Sequence, residues 1–506
     1  MSSPASKDRS RNDIDRIVAL IEAKAPTYVA LSDKVWDLAE LRYQEHKSVE
    51  AQIEALEAEG FKVKTGVAGI PTAFEAEAGS GGPLIGFLGE YDALSGLSQQ
   101  SGLVERSPAG GANGQGCGHN LLGTGALLAA AAVKDYLVAN KLPGRIRYYG
   151  CPAEEGGSGK TFMARAGMFA DLDAAVTWHP GNFFGVMSVR TLANIQAYFR
   201  FSGRAAHAAG APHLGRSALD AVELMSVGVN YMREHMPPDA RVHCAVTNTG
   251  GISPNVVQAK AEVLYLIRAP DVAETIELYE RVKKIAEGAA LMTETQATVE
   301  LDKACSNVLP NTALEMALYQ NAQRLGPTPF DDTDRAFAEK LRKAALTPAD
   351  VAASLRQGGL PTTYPKLMHE DVLPFDGIPQ VLFGSTDVGD VSWVTPTVQA
   401  WGACFAVGTP GHSWQLVTQG KLPAAHKGML HAAKAMAATA IDTIENPELL
   451  ATARAELKER VTGKAYVCPI PPAVELPFKR RGEGGTPLGV QPAHVAGPLS
   501  RAKLPV

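Results

Sequence analysis

The chain has 506 residues, of which 45% are hydrophobic and 20% charged, with a formal net charge of -5. That length points to two or three domains, and the composition is that of a globular protein. No basic excess or long like-charge block suggests nucleic acid as a partner.

The first residues, 1–16, are polar and lack the apolar core of a signal peptide. Residues 14–39 and 48–59 have the spacing of amphipathic helices. Short apolar strands follow, each ending at an unusual polar residue. Residues 84–88 run into Glu90-Tyr91-Asp92, 146–149 into Cys151-Pro152-Ala153-Glu154-Glu155, 174–178 into His179, and 381–383 into Ser385-Thr386-Asp387. A helix is expected over 121–138. Its apolar part, 121–133, is too short to span a bilayer and holds Gly123 and Gly125. Strands alternating with helices predict an α/β domain with a mostly parallel sheet, whose ligands gather beyond the carboxyl ends of the strands. The four polar clusters are therefore expected to converge on one site.

The middle of the chain changes character. Ile195, Ala197, Phe199 and Phe201 alternate with polar residues, as in a half-exposed strand. Ala218, Val222, Met225, Val229 and Met232 follow at steps of three and four, a helix ended by Pro237. Then come strands at 242–249 and 262–268, a helix at 272–290 and a strand at 297–302. This β-α-β-β-α-β order is that of a split ferredoxin-like α+β unit. The expected organisation is a first part of the large domain over 1–188, an inserted domain over 189–306, the second part over 307–470, and a Pro/Gly/Arg-rich tail over 471–506. In the second part, residues 429–444 carry an apolar helical stripe.

Several residues have the chemistry of a metal site. Cys117-Gly118-His119 places a thiol and an imidazole on one loop, although a lone pair of this kind is more often structural. Glu154-Glu155 follows a strand, where two adjacent carboxylates raise each other's pKa unless a cation relieves them. One of them can then bind metal while the other serves as general base. His179 follows another strand, and His412 lies in the turn-rich stretch Gly408-Thr409-Pro410-Gly411-His412-Ser413-Trp414. Cys117, His119, Glu155, His179 and His412 offer S, N and O donors that suit Zn, Mn, Co or Ni. Five donors exceed the needs of one tetrahedral ion and fit a pair roughly 3.5–4 Å apart. Glu90 and Asp92 are candidates to orient a ligand His, or ordinary turn acids. In the insert, His207 is a candidate oxyanion donor, and Asn255 and Arg268 are candidates for gripping a substrate carboxylate. A surface His and a salt-bridged Arg are the plain alternatives. The six cysteines, at 117, 151, 244, 305, 404 and 468, are too sparse for a disulfide framework, so reduced thiols and a cytoplasmic location are expected.

Taken in order, six motifs resemble the aminoacylase/carboxypeptidase G family of metallopeptidases, in its Cys-type amidohydrolase branch and within that the p-aminobenzoyl-glutamate hydrolase group. They are Gly89-Glu90-Tyr91-Asp92-Ala93-Leu94, Gly116-Cys117-Gly118-His119-Asn120-Leu121, Pro152-Ala153-Glu154-Glu155-Gly156-Gly157, Thr177-Trp178-His179-Pro180, Ser385-Thr386-Asp387-Val388-Gly389-Asp390-Val391-Ser392-Trp393 and the stretch ending in His412-Ser413-Trp414. The resemblance covers about residues 14–471 and implies a metallopeptidase domain with an inserted lid and dimerisation domain. It implies two divalent ions, Mn or Zn first and Co or Ni next, on Cys117, His119, Glu155, His179 and His412. It makes Glu154 the general base and proton shuttle. His207 matches an insert residue that reaches the partner subunit's site in related dimers, and Asn255 and Arg268 match substrate-binding positions. Many relatives carry a ligand His two residues before the acid matching Asp92, where this chain has Glu90. The Cys-type branch lacks that His, so the change agrees with Cys117 as a ligand. The implied substrate is a small N-acyl amino acid, with an aromatic acyl group on glutamate as the leading candidate. The implied assembly is a homodimer or a pairing with a related subunit. Three rivals stand beside this reading. One is a dipeptidase on the same scaffold, with Glu90 or Asp390 holding a free amine. Another is a subunit of a hetero-oligomeric hydrolase. The third is a thiol hydrolase using Cys117 as nucleophile.

Overall fold

The computed structural model describes residues 4–479. Two helices open the fold, α1 (Pro4–Leu38) and α2 (His46–Ala58). Strands β1 (Lys62–Thr65), β2 (Phe74–Ser80) and β3 (Leu84–Gly89) follow, then helix α3 (His119–Asn140) and strand β4 (Gly144–Gly150). Two short helices, α4 (Glu154–Gly157) and α5 (Gly159–Arg165), lead to β5 (Ala174–Gly181), β6 (Gly185–Val186) and β7 (Val189–Thr191). Every residue of β3 is buried, the mark of a strand covered on both faces. The apolar helix α3 is long enough to cross a membrane, but it is core here: its buried residues pack with those of α1 and the sheet.

The insert comprises β8 (Ala193–Ser202), α6 (Ala218–Met232), β9 (Arg241–Asn248), β10 (Lys260–Ala269), α7 (Val272–Thr293) and β11 (Gln296–Cys305). Its four antiparallel strands lie in the order β11-β8-β10-β9. Alternation decides which face is covered. Ala197, Phe199 and Phe201 of β8, with Val263, Tyr265 and Ile267 of β10, bury against Val222, Met225 and Val229 of α6 and Leu278, Val282 and Ala286 of α7. Side chains cap both helices at their N-termini: Ser217 accepts from the Asp220 amide, and Asp271 from that of Glu274.

The chain returns through α8 (Thr312–Leu325), α9 (Asp332–Ala345), α10 (Pro348–Gln357), β12 (Gln380–Leu382) and α11 (Val388–Ser392). It finishes with β13 (Thr397–Ala403), α12 (Trp414–Val417), α13 (Pro423–Glu445) and α14 (Pro447–Arg460). The main sheet has seven strands in the order β1-β2-β4-β3-β5-β13-β6. Its centre, β4-β3-β5-β13, is parallel, and the strands outside it pair antiparallel. One strand differs from expectation. The run at 381–383 falls on a short, largely exposed strand, β12, with Phe383 just beyond its end, and this strand pairs with β7 in a separate two-stranded sheet. The fourth central strand is β13, buried along most of its length.

Trp178 shows how tightly the core closes around the site. Its indole donates to the Leu122 carbonyl at 2.9 Å. A Cβ at Gly125 would lie 2.8 Å from its ring, and one at Gly402 2.4 Å, so only glycine fits at either position. The described part of the expected tail, residues 471–479, is built of turns and a short 3-10 helix and is packed. Ile470 and Leu476 are buried, and Arg165 donates to the carbonyls of Pro471 at 2.9 Å and Val474 at 3.0 Å. The rest of the tail, 480–506, lies outside the described residues.

Candidate metal centre

The carboxyl ends of the parallel strands supply the candidate ligands, and the backbone aims them. Past β3, the chain presents Glu90 and Asp92. Past β4, Ala153 adopts a left-handed conformation (φ 60°) and its amide donates to Glu45 Oε1 at 2.9 Å, which sets Glu154 and Glu155 in the first turn of α4. Gly118 (φ 79°) turns the chain into α3, so that Cys117 and His119 flank the turn. His179 lies near the end of β5. His412 is left-handed (φ 53°), and its amide donates to the Gly116 carbonyl at 2.9 Å, pinning its loop to that of Cys117.

All five predicted ligands meet. Cys117 Sγ lies 3.4 Å from His179 Nε2, and His412 Nε2 lies 3.3 Å from Glu155 Oε1. Ligand atoms fall within 4.8 Å of one another in three groups: Cys117, His119 and His179; Cys117, Glu155 and His412; and Glu90, His119 and Glu154. Cys117 belongs to the first two groups. Asp92 touches two of the candidate ligands: Oδ1 is 2.9 Å from His119 Nδ1, and Oδ2 accepts from the Glu155 amide at 2.9 Å. His119 therefore turns Nε2 inward, where Glu90 Oε2 lies 3.2 Å away.

The residues fit divalent cations. His119 Nε2, Glu90 Oε2 and Glu155 Oε1 are buried yet make no hydrogen bond of proper geometry, a costly arrangement that a cation relieves. The cluster also attracts positive charge. Burial, then Glu90, Glu155 and Asp387, push Glu154 well above the ordinary carboxylate range. Burial and Glu155 oppose ionisation of Cys117, but His179 and His119 outweigh them and draw its thiol down to about 6. Contacts with Cys117 and Glu155 push His412 up to about 11. The anions that hold protons on these imidazoles are the groups a metal would claim, with thiolate, imidazole and carboxylate donors suited to borderline cations.

The family model for Peptidase family M20/M25/M40 matches residues 86–475. The chain belongs to this family. It is 52% identical over 462 residues, 89% of this chain and 96% of the relative, to a p-aminobenzoyl-glutamate hydrolase subunit of Escherichia coli (strain K12). It is 30% identical to the Xaa-Arg dipeptidase of Mus musculus, over 88% of this chain and 91% of the relative. Among solved structures, the fold resembles that of an aminobenzoyl-glutamate utilization protein from Klebsiella pneumoniae (TM-score 0.57, 19% identity, covering 84% of this chain and 98% of that one). It also resembles a dinuclear metal binding peptidase of the M20 family from Bacillus subtilis (TM-score 0.53, 16% identity, 84% and 99% covered). The chain is thus a metal-dependent hydrolase of the M20/M25/M40 family.

Behind the candidate ligand cluster stands a charge network that the sequence did not reveal. Lys160 is fully buried, with Nζ 2.5 Å from both Glu90 Oε1 and Asp387 Oδ1. Its amide also donates to Asp387 Oδ2, at 2.8 Å. The local signal was a lysine set among small residues, Gly157-Ser158-Gly159-Lys160-Thr161. Asp390 is equally enclosed: it accepts from Thr161 Oγ1 at 2.6 Å, Ser306 Oγ at 2.7 Å and Tyr466 OH at 2.9 Å.

The insert candidates divide. Arg268 donates to Ser385 Oγ at 2.7 Å and feels the charge of Glu154, which places it over the site. His207 and Asn255 sit together elsewhere, on an exposed loop. The Asn255 carbonyl accepts from the Ala208 amide at 2.9 Å, and His207 Nδ1 accepts from the Gly210 amide at 3.0 Å. Within one chain, neither bonds to a cluster residue.

Proposed function

We propose that this chain hydrolyses the amide bond of a small N-acyl amino acid, p-aminobenzoyl-glutamate or a close analogue, with two divalent ions, Mn or Zn, held by Cys117, His119, Glu155, His179 and His412. The observation that carries this reading is the pair of three-donor groups sharing Cys117, with the Glu154 carboxyl in the adjoining group. The 52% identity to a p-aminobenzoyl-glutamate hydrolase subunit supports the substrate class.

When bound, the ions acidify the attacking water and polarise the scissile carbonyl. Glu154 takes the water's proton and delivers it to the leaving nitrogen. Buried among other carboxylates, its carboxyl holds a proton readily. Asp92 keeps His119 in one tautomer and orientation. Arg268 binds the substrate carboxylate from the facing sheet. His207 and Asn255 act in trans, from a second copy or a related subunit, on the oxyanion and the carboxylate. Relatives named as two different subunits of p-aminobenzoyl-glutamate hydrolase support a paired assembly. A dipeptidase would need an acid free for the substrate amine. Glu90 is engaged by Lys160 and His119, and Asp390 by three hydroxyls, which disfavours that rival. The six cysteines are all free thiols, in support of a reducing, cytoplasmic setting.

The test is release of glutamate from p-aminobenzoyl-glutamate by purified protein supplied with Mn or Zn. Release should stop with chelator and in metal-loaded Glu154→Gln protein. Release that survives chelation and ends with thiol alkylation would instead make Cys117 a nucleophile. No release by folded, metal-loaded protein would remove this substrate.

A further inference from the structure

The inner face of the inserted sheet carries a feature that the ligand cluster does not use. Asn194 of β8, Arg268 of β10 and Arg241 of β9 are direct cross-strand partners in one row. The neighbours of the two arginines, Ile267 and Val242, point the other way, into the core formed with the helices. The row therefore faces the large domain. Arg268 donates to Ser385, and the Arg241 guanidinium lies 4.6 Å from the Phe383 ring centroid. Both arginines thus overlie the segment that runs on to Asp387, the partner of Lys160.

Among the described residues, neither Arg241 nor Arg268 forms an ion pair. Like charges directly opposite each other on paired strands repel, so this pair lacks its counter-charge. His243 lies two residues along β9, on the same face. Its pKa is lowered by burial and then by Arg268, Arg233 and Arg241, so the local field is positive. Arg241 Nη1 donates to the carbonyls of Pro238 at 2.7 Å and Ala240 at 2.8 Å, which fixes the guanidinium and leaves Nε and Nη2 for a ligand. A cross-strand separation of about 5 Å suits the two carboxylates of a short dicarboxylic amino acid.

We propose that Arg241 is a second carboxylate-binding residue beside Arg268, which makes the site selective for N-acyl dicarboxylic amino acids over neutral ones. This rests on the amide-hydrolase reading above, with Arg268 on the α-carboxylate and Arg241 on that of the side chain.

The test compares p-aminobenzoyl-glutamate with p-aminobenzoyl-glutamine as substrates of metal-loaded wild type, R241Q and R241K. R241Q should raise KM for the glutamate substrate tenfold or more, with a smaller change in kcat, and the glutamate-over-glutamine preference in kcat/KM should fall by a similar factor. R241K keeps the charge without the planar fork and should recover part of the preference. An unchanged preference in folded R241Q, or an equal loss on both substrates, would overturn the proposal. Calorimetric binding of glutarate to metal-loaded protein gives a readout without turnover. If wild type hydrolyses neither substrate, the amide-hydrolase reading fails. A tenfold weaker glutarate affinity in R241Q would still support the subsite, and an unchanged affinity would overturn it.

Discussion

The ligand cluster and the inner face of the inserted sheet hold charge in opposite ways. At the cluster, Glu90, Asp92, Glu154, Glu155 and Asp387 converge beyond the parallel strands, most of them fully buried, and Lys160 is locked between two of them. On the insert, Arg241 and Arg268 are half-buried and make no ion pair among the described residues, and His243 beside them is exposed. The first region calls for cations and the second for anions. The cluster's fixed, buried geometry suits catalysis, whereas the more open basic face suits selection of what is brought to it. An amide with carboxylates on its amine side matches both at once.

The contrast between the two regions can be tested residue by residue. The largest effect belongs to Glu154→Gln, which should cut turnover by about 10³-fold while metal content is unchanged. An active, metal-loaded variant would remove the proton shuttle. Next comes Lys160→Met. Deleting one partner of a buried charge network leaves Glu90 and Asp387 uncompensated and should cost about 3–5 kcal/mol in denaturant unfolding. A loss below about 1 kcal/mol would show that the network does not hold the cluster together.

Glu315 shows what burial does where the pull of a cation, here Arg460, is the weakest influence on the acid. It is 3% exposed, with Ser188 Oγ donating to it at 3.0 Å, and burial pushes its pKa up to about 7. The native state keeps this proton from about pH 4.5 to 7 while the unfolded chain has lost it. Its contribution to stability therefore falls as pH rises through that window. Glu315→Gln should remove the loss and stabilise the protein by about 2 kcal/mol at pH 8, with little gain at pH 5. Equal gains at both values would contradict this. The smallest stability effect is expected at the exposed loop: His207→Ala should shift unfolding by no more than about 0.5 kcal/mol. If its turnover falls and returns on mixing with Glu154→Gln protein, His207 acts across an interface.

The insert was the most legible part of the sequence. Helix α6 begins at Ala218 as its periodicity predicts and ends at Met232, a few residues short of Pro237, and the insert's strands depart by only a few residues, because periods of two and of three to four alternate cleanly there. The convergence of the candidate ligands was legible too, since each follows a strand or a glycine turn. Strand β13 was missed because a short, buried, apolar strand has no periodicity of its own, and the apolar run at 381–383 offered a false substitute. Lys160 was missed because its partner Asp387 is 227 residues away, a pairing set by the fold and invisible in the local sequence. The Arg241–Arg268 pair likewise emerges only from strand register.

The two-ion centre is tested most directly by metal content per chain, measured on gel-filtered protein after loading with Mn or Zn, for wild type and Cys117→Ala side by side. Because Cys117 belongs to both donor groups, wild type should carry two ions per chain, and the variant should bind both more weakly. One ion in wild type, or two held as tightly without Cys117, would contradict a paired centre built on that thiolate.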